Sequence, residues 1–201
     1  MIRPTPLAAL ELPLFRHCPR CASRSGAHDD GREFICSACG FRYFHNVAIG
    51  VAALVIHDGT VLATRRAHEP AAGMLDLPGG FVDPNESAEA ALARELGEEL
   101  GWSTLPALPR YLCTAPNTYL FAGVRYATCD VFYRLDLDRR PPVIGNEEVA
   151  GHKWVPLEAL DIATFGFPSV RCALATVISA QAELAAAGPV TDTVPPHPSS
   201  T

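Results

Sequence analysis

Glu95, Glu98 and Glu99 stand at i, i+3 and i+4, so on a helix all three carboxylates leave one face. Carboxylates crowded in this way repel one another unless a cation lies among them. Oxygen donors of this kind suit a hard divalent ion, Mg2+ or Mn2+. Such an ion neutralises phosphate oxygens and generates hydroxide from bound water. The competing reading is a solvated acidic face, since Glu is common on exposed helices. The surroundings are charged as well: the 23 positions from Gly80 to Trp102 hold six acidic residues and one arginine, Arg94. Pro78-Gly79-Gly80 leads into this stretch, and paired glycines let the backbone approach a ligand and expose a carbonyl. A helix is expected from Ser87, as N-cap, to Leu100, with Gly101 stopping it and Gly97 its one weak position. Ala88, Ala91, Leu92, Leu96 and Leu100 supply its core-facing side.

A second cluster is thiol-based. Cys18-Pro-Arg-Cys21 and Cys36-Ser-Ala-Cys39, 14 residues apart, place four thiolates where two knuckles present them tetrahedrally to Zn2+. Between them Asp29-Asp30-Gly31 marks a turn and Phe34-Ile35 a short strand. The alternatives are disulfides, buried free thiols or a redox pair. A redox CxxC opens a helix in a βαβ setting that this segment lacks, and disulfides conflict with the export signal not found here. Four thiolates close a zinc site, so its expected role is structural. Cys113, Cys129 and Cys172 are isolated in apolar runs and are expected to be buried small hydrophobes.

The stretch from Gly80 to Trp102 resembles the Nudix box, G-x5-E-x7-R-E-U-x-E-E-x-G-U with U a bulky apolar residue. Gly80, Glu86, Arg94, Glu95, Leu96, Glu98, Glu99, Gly101 and Trp102 fill it in order. The resemblance implies an α/β/α sandwich with a mixed sheet and metal-dependent hydrolysis of a nucleoside diphosphate linked to another moiety. It assigns Glu95, Glu98, Glu99 and the Gly79 carbonyl to the catalytic metal, and makes Glu86 and Arg94 a structural pair bracing loop on helix. Family members often carry an acidic residue before a segment like Trp154-Val155-Pro156. Glu147 and Glu148 match by position, with Glu148 favoured; an exposed loop carboxylate is the other reading. A zinc ribbon ahead of such a domain resembles the NADH pyrophosphatase-like group, across residues 18 to 186. That group's Ser-Gln-Pro-Trp-Pro-Phe-Pro-x-Ser motif is replaced here by Cys113-Thr-Ala-Pro-Asn-Thr-Tyr-Leu-Phe121, so NADH itself is not singled out. Pro116 is similar to a mark of ADP-ribose hydrolases and Tyr119 to one of diadenosine polyphosphate hydrolases. The expected substrate is thus a small nucleotide: a dinucleotide such as NAD(H), ADP-ribose or a diadenosine polyphosphate. Tyr119 and Phe121 stack on a base or are ordinary core or rim aromatics. A catalytically silent ligand sensor, or a nucleic-acid-binding regulator using the ribbon, is the alternative; Arg3, Arg16, Arg20, Arg24, Arg32 and Arg42 make that region locally basic.

The elements that must position these groups follow from pattern. Val47 to Ile56 is a long apolar run ending in Asp58-Gly59, with Val61 to Arg65 after it, a hairpin signature. Arg65 and Arg66 leave this hairpin toward the box, to meet substrate phosphates or to end a strand in solvent, with Arg65 taken as the substrate-binding candidate. His68 is expected to be an exposed loop residue. Arg110–Thr114 and 125–136 read as partner strands, Ala115 to Val124 as a segment with turn residues at both ends. Residues 139–151 are expected as a surface loop, His152 to Val155 as a strand, and Pro156 as N1 of a short helix. Pro168 to Ala186 repeats apolar residues at Val170, Ala173, Leu174, Val177, Ile178 and Leu184, a closing helix.

The 201 residues suffice for one domain and an appendage: arm 1–14, zinc ribbon 15–45, α/β domain 46–187, disordered tail 188–201. A net charge of −6 with thinly spread basic residues makes a nucleic-acid-coating surface unexpected. No run approaches the ~20 apolar residues of a membrane span, and no signal peptide is read, so the cytoplasm is the expected location. A homodimer is left open.

Overall fold

A computed structural model describes residues 15–24, 27–29, 31–145 and 147–187, with backbone only for 27–29 and 184–187. The arm at 1–14, the tail at 188–201, Asp30 of the ribbon turn and the Leu184 side chain of the closing helix lie outside the described residues.

Near the N-terminus β1 (Ala27–Asp29), β2 (Glu33–Cys36) and β3 (Arg42–Phe44) form a small antiparallel sheet, with Phe34 buried beneath Cys18 and Cys36. The second sheet is built around β4 (Ala48–His57), a strand whose Val51-to-Ile56 run is buried throughout. A strand apolar on both faces has to be covered on both. Alternation divides the work. Val51, Ala53 and Val55 face α1 (Ala88–Leu100), while Ala52, Leu54 and Ile56 face α2 (Pro168–Ala187). Leu92, Leu96 and Leu100 of α1 are fully buried, each contributing about 1.5–3 kcal/mol of transfer energy. Helix, sheet, helix is the α/β/α arrangement expected.

The remaining strands are β5 (Thr60–Arg66), β6 (Leu75–Asp76), β7 (Gly79–Phe81), β8 (Arg110–Phe121), β9 (Val124–Asp136) and β10 (Val149–Pro156). Their order is β10-β5-β4-β9-β8, with β6 on β5 and β7 on β4. The β4–β9 pair is parallel and the other pairs are antiparallel, so the sheet is mixed. One edge of β4 is divided: β5 pairs it at Ile56 and His57, and β7 pairs it at Gly50, Val51 and Ala52. That division leaves the loop ahead of α1 at the sheet's end.

Four expectations change. Residues 115–121 do not leave the sheet: β8 continues through Pro116 to an Ala122-Gly123 turn with both φ positive, and the irregularity is a register shift between Tyr111 and Cys113. The loop before β10 ends early, because Val149 already pairs with Arg66. Pro156 precedes a 3-10 turn at Leu157–Ala159 and is its N-cap, not N1. Cys172 is exposed and Cys113 and Cys129 are half-buried; Cys172 falls outside the α2 stripe of Val170, Ala173, Leu174 and Val177. Among the described residues no helix is long and apolar enough to cross a membrane.

Candidate active site

Capping puts α1 where its carboxylates are usable. Ser87 Oγ accepts the Ala90 N–H at 3.2 Å, and Gly101, left-handed at φ 74°, returns its N–H to the Gly97 carbonyl. The glutamate face then meets β7. The Gly79 N–H donates to Glu99 Oε2 at 2.9 Å. Gly79 has φ +147°, and a Cβ on it would stand 2.1 Å from the Val51 carbonyl oxygen; one on Gly80 would stand 2.3 Å from Glu95 Oε1. No other residue fits at either position without displacing backbone or carboxylate.

Arg94 supplies the cation within the protein. Its Nε and Nη2 hold the two Glu86 oxygens at 3.1 and 3.0 Å, and Nη2 also reaches the Phe81 carbonyl at 2.9 Å. Nη1 bridges Glu95 Oε1 at 2.8 Å and Glu98 Oε2 at 3.4 Å. The guanidinium holds the Glu86 carboxyl below its usual range, and the pair joins the loop ahead of α1 to the helix. Glu95 and Glu99 are buried, whereas the Glu98 side chain is 56% exposed. Burial pushes the Glu99 carboxyl up to about 8, against the Gly79 N–H, with the charges of Asp76, Glu95 and Glu148 adding to it. Burial likewise raises Glu95, which Arg94 opposes. A cluster so short of positive charge favours a bound divalent ion over three ionised carboxylates standing alone.

These groups open into a cavity of about 690 Å3. Gly79, Glu95, Glu98, Glu99, Glu148, Tyr119 and Phe121 all line it, as does His68. Glu148 arrives because its carbonyl accepts the Ala67 N–H at 3.1 Å, one residue before β10 joins β5. Glu147 is exposed and stands outside the lining. Arg65 also stands outside: strand alternation turns it to solvent, where it donates to the Gly73 carbonyl, and Arg66 faces the cavity in its place. Arg66 Nη1 pairs with Asp76 Oδ2 at 3.0 Å, Nη2 reaches the Tyr119 hydroxyl at 3.4 Å, and the guanidinium lies 4.9 Å over the Phe167 ring. Tyr119 stacks on Phe167 at 5.8 Å and takes Phe81 edge-on at 5.3 Å.

Sequence reasoning missed Asp76, Asp130, Asn117, Thr128, Ser169 and Phe167. Burial raises Asp76 to about 6 despite Arg66. The available signal was a charged residue in the middle of a strand, Asp130, at the same parity as Thr128 and Phe132.

The four cysteine Sγ atoms lie within 4.8 Å of one another, the only such group of three or more His, Cys, Asp or Glu among the described residues. Cys18–Cys39 and Cys21–Cys36 are each 3.8 Å apart. Zn–S bonds of about 2.3 Å put tetrahedral sulfurs about 3.8 Å apart, so the cluster has the dimensions of a zinc site. Two like turns make it: the Ala22 N–H bonds Cys18 O, the Gly40 N–H bonds Cys36 O, each at 2.9 Å with a left-handed residue.

Comparison with known proteins points the same way. The model of the NUDIX domain matches residues 45–172. The NAD-capped RNA hydrolase NudC of Stutzerimonas stutzeri is 32% identical over 99 residues, 49% of this chain and 35% of that protein. The ADP-ribose pyrophosphatase of Methanocaldococcus jannaschii is 36% identical over 61 residues, 30% of this chain and 36% of that protein. The matches thus span about a third of the length of these curated relatives. Among solved structures, a MutT NUDIX hydrolase from Burkholderia pseudomallei superposes with TM-score 0.54 at 29% identity, over 66% of this chain and 98% of that one. The NUDIX domain of Shewanella oneidensis NrtR, complexed with ADP ribose, gives 0.53 at 27% identity, over 70% and 90%.

Proposed function

The chain belongs to the NUDIX family, and on that footing we propose that it is a divalent-metal-dependent pyrophosphohydrolase acting on a nucleoside diphosphate linked to another moiety. The observation that carries this is the meeting of Glu95, Glu99 and Glu148 with the Gly79-Gly80 loop in one cavity that Tyr119, Phe121 and Phe167 also line. Glu95, Glu98, Glu99 and the Gly79 carbonyl would hold Mg2+ or Mn2+. That ion supplies activated water and neutralises phosphate charge. The chain's own residues do the positioning. Arg94 and Glu86 keep the loop and the glutamate face in register, and the Gly79 N–H keeps Glu99 turned inward. Glu148, within electrostatic reach of Glu95 and Glu99, is a further acceptor, for the metal or for the proton of the attacking water. Arg66 presents positive charge to a phosphate while Asp76 holds it in place. Tyr119 and Phe121 offer ring faces to a base.

ADP-ribose and a NAD cap share an adenosine diphosphate joined to a second group, as dinucleotides do, and that common half is the substrate class proposed. The domain organisation belongs to the same proposal: a ribbon at 15–45 holding structural Zn2+ on Cys18, Cys21, Cys36 and Cys39, then a hydrolase domain at 46–187. Four cysteines unbridged by disulfides and gathered as one zinc-type cluster fit a reducing, cytoplasmic setting.

The test is phosphate-coupled hydrolysis with Mg2+ or Mn2+ over NADH, NAD, ADP-ribose, diadenosine polyphosphates, nucleoside triphosphates and NAD-capped RNA, with Glu99→Gln as blank. Turnover of one member by wild type alone is expected. Silence across the panel from folded, metal-loaded protein sinks the hydrolase reading and favours a ligand sensor.

A further inference from the structure

Asp130 lines the cavity beside Gly50 and within electrostatic reach of Asp76, and it is held by three donors from three elements. Asn117 Nδ2 of β8 and Ser169 Oγ of α2 donate to its Oδ2 at 3.1 and 2.6 Å, and Thr128 Oγ1 of β9 donates to Oδ1 at 2.8 Å. All three donors are buried, whereas Asp130 itself is half-buried and lines the cavity. Gly50 leaves room for it, since a Cβ there would stand 2.9 Å from Oδ1.

A carboxylate offers about four acceptor positions, so three bonds leave about one, on a residue that lines the cavity. Among the described residues no Lys, Arg or His pairs with Asp130. Tying α2 to the sheet needs no net charge, and a neutral amide would cost less to desolvate. The arrangement makes chemical sense as an acceptor held ready for a ligand. It repels phosphate and the acceptor nitrogens of a base, and it matches an N–H donor. Tyr119 and Phe167, the stacked pair, line the same cavity.

We propose that Asp130 is a specificity-determining residue that accepts a hydrogen bond from the exocyclic amino group of a nucleobase lying against Tyr119 and Phe167, with Asn117, Thr128 and Ser169 fixing its direction. The proposal rests on the reading of this cavity as a nucleotide site, and the two fail separately.

The experiment is calorimetric binding of nucleoside monophosphates to the full chain, which needs no turnover. AMP is compared with purine riboside monophosphate and 2′-deoxy-AMP, and GMP with IMP, on wild type and Asp130→Asn. For the better-bound base, losing the amino group weakens wild-type binding roughly 10- to 100-fold, as expected for a hydrogen bond to a charged acceptor. In Asp130→Asn the two members of that pair bind within about threefold, the coupling having been removed. Equal binding by wild type, or an amino penalty that persists in Asp130→Asn, overturns the assignment. A penalty confined to the 2′-deoxy analogue overturns it too, moving Asp130 to the sugar. If Asp130→Asn does not fold, the wild-type pairs decide alone. Failure of every monophosphate to bind overturns the nucleotide reading along with this one.

Discussion

The Gly79 amide and the Glu99 carboxylate, 20 residues apart, meet at 2.9 Å and join the short strand β7 to the last turn of α1. Through this bond a backbone donor partly opposes the burial that raises the Glu99 carboxyl. Glu99 is thus held at the point where a metal has most to gain.

Glu99→Gln keeps the Gly79 contact through its amide oxygen but loses the charge. Hydrolysis is expected to fall by about a hundredfold or more, with circular dichroism unchanged. Retained turnover in both Glu98→Gln and Glu99→Gln would remove the metal assignment.

The two glycines before α1 separate stability from activity. Gly79→Ala forces a side chain into the β4 backbone at a left-handed φ, and a loss of about 3 kcal/mol or more is expected in denaturant melts. Gly80→Ala meets only the end of the Glu95 side chain. Its melting should change less, while metal binding falls because Glu95 is pushed aside.

Stability should depend on pH in a direction set by Asp76 and Glu99. Burial raises both, to about 6 and about 8, above their unfolded values. Between about pH 4 and 8 the folded chain therefore binds more protons than the unfolded one, and stability falls as pH rises, by several kcal/mol. Thermal melts without added Mg2+ should show a lower Tm at pH 8 than at pH 5.5. Mg2+ should raise Tm more at pH 8, and Glu99→Gln should flatten the fall. A Tm that climbs toward pH 8, with Glu99→Gln climbing alike, would contradict this assignment.

Arg66 and Arg65 are neighbours with different consequences. Arg66→Ala leaves Asp76 buried without its cation and removes the charge facing the cavity, so both stability, by about 3 kcal/mol, and KM should suffer. Arg65→Ala should lie within about 0.5 kcal/mol of wild type with KM unchanged. Steady-state kinetics beside urea melts distinguish the two.

Zinc content should be one per chain by mass spectrometry under non-denaturing conditions. Cys36→Ser should lose the ion, since it removes one of the four sulfurs that gather within 4.8 Å of one another. An unchanged metal content in Cys36→Ser would argue against the site.

What could be read from sequence was local. Ser87, Gly101 and the Leu92–Leu96–Leu100 stripe announce α1 because capping and helical period act within a few residues. The CxxC pairs announce their cluster because ligand spacing is itself the signal. Asp130 could not be placed, because its partners Asn117 and Ser169 lie 13 and 39 residues away and only the folded sheet brings them together. Arg66 was passed over for Arg65 because strand parity, not residue type, decides which of two adjacent arginines faces inward. Ala115 to Val124 looked interrupted because Pro116 and Asn117 are turn residues by propensity; pairing along β9 overrides that.

The parallel pairing of β4 with β9 runs from Ala48–Thr128 to Ile56–Asp136, so every contact spans 80 residues of chain. Contacts of such range close late, because the intervening loop must lose its freedom first. On a growing chain the glutamate-bearing segment is complete well before its counter-strand has been synthesised. Until then β4 lacks its parallel neighbour, and the cavity lacks Asn117, Tyr119, Thr128, Asp130 and Glu148. The complete cavity therefore arises together with the finished sheet, and nascent or partly unfolded chains should bind the ion less tightly than the folded protein.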